Sequence, residues 1–192
     1  MGFPEDAYRQ YRLAMRMIQL EARTSAVCAW TRFTEGRVRR LFRAYLRSAN
    51  RPKLARHRGQ SPRDASVFFR TPQLRAEAGG LAAYYSLLGL LPSDPSQRAA
   101  RALPTVPRGE TLCYAFELYT MTVKSPRISF EHAILLLTAL ARGEEIALQP
   151  CRRCSALIII DRLSQLLDQC LYCNPSLAVV PTAKEVSTGT DI

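Results

Sequence analysis

Histidine is almost missing from this chain, and its scarcity removes several chemistries at once. The 192 residues include two: His57, followed by Arg58 and Gly59, and His132, followed by Ala133 and Ile134. Neither opens an H-E-x-x-H metal-hydrolase motif. The segment P-C-R-R-C from Pro150 is half of a zinc deaminase signature, but the H-x-E that supplies a ligand and the general acid/base is absent. There is no G-x-S-x-G elbow and no phosphate-cradling glycine loop. Cys28 and Cys113 stand alone on helical stretches, which favours burial over nucleophilic chemistry. The expectation is a protein that is not an enzyme.

Long apolar runs are missing too. Stretches such as Ile134 to Leu137 and Ala156 to Ile160 fall far short of the ~20 residues that cross a bilayer. The start, MGFPEDAYRQY, has no basic region leading into an apolar one, so no signal peptide is read there. These absences predict a soluble, cytoplasmic protein with no membrane partner. No internal repeat is present.

What the chain has in excess is arginine, and the excess is uneven. Residues 1 to 70 carry 16 Lys or Arg against 5 Asp or Glu, whereas residues 71 to 192 carry 11 against 11. The net charge of +11 therefore belongs to the first third, where fifteen of the 16 basic residues are arginines. A basic patch is often only a solvated face. Arginine is also the side chain best shaped for bidentate contact with phosphate or guanine, and its concentration in one segment points to nucleic acid.

Residues 5 to 23 read as an amphipathic helix, with Tyr8, Tyr11, Met15, Ile18 and Ala22 on the core stripe and Arg9, Arg12, Arg16 and Arg23 outside it. A short helix follows over 24 to 30. Thr34 then caps a second helix, whose stripe is Val38, Leu41, Phe42, Tyr45 and Leu46. Its free side carries Arg37, Arg40, Arg43 and Arg47, with Arg39 at the border. Any two amphipathic helices in a basic protein share this pattern, yet it is also what a helix-turn-helix needs to enter a major groove. Arg37 and Arg40, near the helix start, are the candidates for base contacts. Arg43 and Arg47 are placed for phosphates. Arg32, Arg39 and the arm residues Arg51, Lys53, Arg56 and Arg58 complete the DNA-binding set.

The remaining chain divides into a basic arm at 51–72, a helical region at 73–145, a cysteine module at 146–178 and a polar tail at 179–192, after a basic helical region at 1–50. Phe68 and Phe69 are read as anchoring the arm to the helical region. Helices are expected over 73–91, 96–102, 109–123 and 129–142, the last capped by Ser129 and ended by Gly143. In the cysteine module, Cys151 and Cys154 form one C-x-x-C and Cys170 and Cys173 a second. Two such turns can close a tetrahedron of sulfurs ~2.3 Å from one structural Zn²⁺. The competing reading is two redox or disulfide pairs, disfavoured by the absence of any secretion signal. The fold class is mainly α, with an N-terminal helix-turn-helix, a helical middle and a small C-terminal zinc-ribbon-like module.

Taken in order, these parts resemble the flagellar transcriptional activator FlhC family, the C subunit of the FlhD/FlhC master regulator. The resemblance rests on LEAR at Leu20 to Arg23, on Gly36, Arg37, Val38, Leu41 and Phe42 against the family's G-R-L-x-x-L-Y, on Ser61 and Pro62 followed by Phe68 and Phe69, and on Cys151, Cys154, Cys170 and Cys173 as zinc ligands. The chain departs from the family at Ser155 and Ala156, where glycine is usual after the second cysteine, and in lacking tryptophans in the arm. The resemblance implies FlhD subunits in a hetero-oligomer, promoter double-stranded DNA and RNA polymerase as partners, and activation of flagellar genes. An RNA-binding or ribosome-associated zinc-ribbon protein is the alternative, and an adaptor for an acidic protein a third.

Overall fold

The structure is a computed structural model and describes residues 5–48, 61–91, 104–162 and 169–175. Arg51, Lys53, Arg56 and Arg58, the helix expected over 96–102 and the tail lie outside the described residues. What is described is mainly helical: six α-helices, a 3₁₀ turn and a two-stranded antiparallel sheet.

Helix α1 (Glu5–Gln19) opens on Glu5 and Asp6, whose charges suit the N-terminal end of the dipole. Its buried residues are Leu13, Ala14, Met17 and Ile18, while Tyr8 and Tyr11 are 56% and 42% exposed. The core face is thus turned roughly 100°, one residue's rotation, from the stripe read in the sequence. The reason lies on another helix. Gly109 of α5 (Val106–Thr122) has no side chain, and a Cβ there would stand 2.7 Å from Leu13 Cδ2 and 3.2 Å from Trp30 Cε3. The absent side chain leaves room that Leu13 fills, and the tyrosines stand exposed on the other side of the helix.

Helix α1 ends with Glu21 in the left-handed region (φ 62°) and the Ala22 N–H bonded to Met17 O at 2.9 Å. Helix α2 (Thr24–Thr31) ends similarly at Arg32 (φ 61°), whose N–H reaches Cys28 O at 2.9 Å. Three residues later α3 (Glu35–Ser48) begins, with Thr34 Oγ1 accepting from the Arg37 N–H at 3.4 Å. Val38 and Tyr45 are buried and Leu41 and Phe42 partly so. Leu46, read as core, is 40% exposed; at 100° per residue it stands about 80° round from Val38, beyond the arc its neighbours cover.

A 3₁₀ turn (Ala65–Phe69) is opened by Asp64, which accepts from the Ser66 N–H at 2.8 Å. Phe68 is buried there, edge-on to His132. Helix α4 (Pro72–Leu87) is capped by Thr71, and α6 (Phe130–Arg142) by Ser129 and ended by Gly143 (φ 68°). Strands β1 (Ile146–Pro150) and β2 (Leu157–Asp161) pair with Ile146 opposite Asp161 and Pro150 opposite Leu157. The isoleucines of β2 suit a strand, whereas β1, IALQP, lacks the β-branched density that marks one. One hydrophobic core runs from Leu13 of α1 to Ile159 of β2, and Cys151, Ile158 and Cys170 form a small second cluster.

Candidate metal centre and basic helix face

The six residues between β1 and β2 are the turn of the hairpin, and they contain the first cysteine pair. Cys151 N–H bonds to Ala156 O at 2.8 Å, and Ser155 N–H to Cys151 O at 2.9 Å, curling the chain round the Cys151 sulfur. Ser155 has φ 61°. It stands in the conformation that glycine adopts without cost, which explains why glycine suits the position after a second cysteine. The second pair curls the same way, with Cys173 and Asn174 N–H groups reaching Cys170 O at 3.1 and 3.0 Å. Arg153 Nη1 ties the turns together through Cys173 O at 3.0 Å.

All four sulfurs lie within 4.8 Å of one another, with Cys154 and Cys170 at 3.6 Å. A tetrahedron with ~2.3 Å metal–sulfur bonds has edges of about 3.8 Å, so the cluster has the dimensions of a closed four-thiolate site. It can hold one metal ion such as zinc. The surroundings favour thiolate: the Cys170 N–H bonded to Cys151 Sγ at 3.3 Å is the first cause lowering the Cys151 thiol to about 6. Cys170 is lowered as well, first by the Cys173 N–H. Cys173 is pushed up to about 12, first by its bonds to the Cys154 and Cys170 thiols, because sulfurs this close cannot all ionise without a cation among them. Away from the cluster, burial pushes Cys113 up to about 12 and raises Cys28.

The described arginines of the first third are not equivalent: some pair with glutamates of other helices, while others, Arg12 over the Tyr8 ring among them, stay exposed. Arg9 and Arg16 were placed on a free outer face, but they pair across the core boundary with Glu110 and Glu117 of α5. Arg23 meets Glu131 of α6, its backbone N–H donating to Oε1 at 2.8 Å and its Nε lying 3.8 Å from Oε2. Two pairs advancing together along α1 and α5 show that the helices run side by side in the same direction.

Helix α3 is different. Arg32, Arg37, Arg39, Arg40, Arg43 and Arg47 are all exposed. Arg37 lies over the Phe33 ring, 3.9 Å from its centre, and Arg39 pairs with Glu35 at 2.7 Å. Arg43 Nε donates to Arg39 O at 3.4 Å. The helix therefore presents five arginines and one glutamate along one side while Val38 and Tyr45 seal the other. The structure brings the four cysteines together, and it keeps the five α3 arginines on one helix face. The sequence reading overlooked strand β1, the pairing of Arg9 and Arg16, and a buried arginine, Arg75, on α4. An arginine in a polar helical stretch has no local mark of burial.

Among the described residues no helix is long and apolar enough to cross a membrane. Comparison with protein-family models found no match, and comparison with curated proteins found none either.

Proposed function

We propose that this chain is a DNA-binding transcriptional activator subunit of the FlhC kind, in which the four cysteines hold one structural Zn²⁺. The observation that carries the reading is the division of the arginines. Arg9, Arg16 and Arg23 are paired with glutamates of α5 and α6, whereas α3 keeps Arg37, Arg39, Arg40, Arg43 and Arg47 exposed. In this reading α2 and α3 form a helix-turn-helix, Arg43 and Arg47 neutralise phosphates, and Arg37 and Arg40 read bases from the start of α3. Four cysteine ligands fill the zinc coordination shell, so the metal stiffens the hairpin and takes no part in chemistry. FlhD and RNA polymerase are the protein partners, the setting is the cytoplasm, and the output is flagellar gene expression.

The test is competition binding with the zinc-loaded chain, alone and co-purified with FlhD. A flagellar promoter duplex should be displaced by itself far better than by structured RNA. Its log affinity should fall with log salt by about 0.9 per phosphate neutralised. Equal displacement by RNA sinks the activator reading and leaves the ribosome-associated alternative. An affinity indifferent to salt removes nucleic acid altogether.

A further inference from the structure

Arg75 is 8% exposed in the first turns of α4, a position at which a charged side chain needs a reason. Two hydrogen bonds at the ends of the hairpin set its alternation: Cys151 N–H to Ala156 O, and Arg162 N–H to Glu145 O at 2.9 Å. Counting from either end makes Leu148 and Ile159 a non-hydrogen-bonded pair. The Ile159 carbonyl therefore faces away from β1, towards α4, and Arg75 Nε donates to it at 3.3 Å. One turn further, Gly79 brings the α4 backbone onto the same strand: a Cβ there would be 3.3 Å from Leu157 O. Arg75 also borders a cavity of about 700 Å³ whose wall includes Ile158 and Cys170.

We infer that Arg75 is the counter-charge of the cysteine cluster and couples metal occupancy to the seating of α4 on β2. The inference rests on the structural-metal reading of the four cysteines. One divalent ion and four thiolates sum to two negative charges, and a centre of that charge beside a low-dielectric core needs compensation. The N–H groups that reach the sulfurs supply part of it. A guanidinium supplies more, at lower desolvation cost than an ammonium because its charge is spread and weakly hydrated. Arg75 and Cys170 stand on the wall of the same cavity, which places the guanidinium on the cluster's side of α4. The same side chain anchors the outer edge of β2, so the strand that leads away from the first cysteine pair is held by the group that answers the cluster's charge.

The test uses the full chain loaded with zinc and titrated against a chromophoric chelator. Arg75→Gln should weaken zinc binding by about 10- to 100-fold, the usual effect of removing an outer-shell partner. Arg75→Lys, which keeps the charge and loses the planar fork, should restore most of the affinity. Hydrogen exchange on the unaltered chain provides a reading that needs no variant: removing zinc should speed exchange in 72–79 more than in 106–122. Unchanged zinc affinity in Arg75→Gln overturns the inference, and so does a Lys variant as weak as the Gln variant. If Arg75→Gln does not fold, equal exchange in 72–79 with and without zinc overturns it. An unaltered chain that binds no zinc defeats the metal reading itself.

Discussion

Arg16 of α1 donates from Nε to Glu117 Oε1 of α5 at 2.7 Å, and Arg9 makes the same kind of pair with Glu110 about two helical turns earlier. These pairs join two helices, unlike the Arg39–Glu35 pair, which lies within α3.

A double-mutant cycle on Arg16→Gln and Glu117→Gln should give a coupling of about 0.5 to 1 kcal/mol, small because both side chains are about a third exposed and solvent screens them. The coupling should shrink in high salt. Arg16→Gln should leave nucleic-acid affinity unchanged, as measured by anisotropy. A loss matching that of Arg43→Gln would show that Arg16 is also a ligand contact.

Within α3, position along the helix should separate two kinds of effect. Replacing Arg37 and Arg40 together should relax sequence preference, with about 1 to 3 kcal/mol lost per base contact; Arg47→Ala should weaken all duplexes alike and lower the salt slope by about 1. Identical behaviour of the two variants contradicts the assignment of roles.

Cys154→Ser should release the metal and expose the hairpin turn to protease, since structural zinc contributes an apparent ~10 to 16 kcal/mol to ordering its ligand segments. Ser155→Gly should act in the opposite sense. Relief of a left-handed non-glycine residue is worth about 1 to 2 kcal/mol, and the added freedom of glycine in the unfolded chain offsets about 0.4 to 1 of it. Thermal unfolding of the zinc-loaded protein should show a small rise for Ser155→Gly and none for Ser155→Ala.

Gly109→Ala should destabilise the helical body by about 1 to 3 kcal/mol through overpacking. The new methyl group meets Leu13, which is 1% exposed and has nowhere to retreat. Urea midpoints would measure the loss, and Leu13→Ala should cost less in the Gly109→Ala chain than in the native one.

His132 gives the fold a defined acid sensitivity. Burial, with Arg23 and Arg70 nearby, holds it below its ordinary 6.5, and Glu131 opposes them. Its Nδ1 lies 2.8 Å from Ser129 Oγ and its ring meets the edge of Phe68. A lowered folded pKa means that the unfolded chain binds the proton first. The contribution of His132 is then complete above pH 6.5 and declines as pH falls below it. Urea midpoints at pH 7.5 and 5.5 should differ more for the native chain than for His132→Gln.

The sequence by itself determined the set of clustered cysteines, the capped ends of α6 at Ser129 and Gly143, and the arginine face of α3. These features are written within a few residues of each other: C-x-x-C turns, capping hydroxyls and helical periodicity need no distant partner. Tertiary structure decided which side of α1 is buried, because the answer depends on an absent side chain at Gly109. It also decided which arginines are spent on Glu110, Glu117 and Glu131, and that Arg75 is buried between α4 and β2. Burial and ion pairing are properties of two surfaces in contact, and a residue carries no local sign of the surface it will meet.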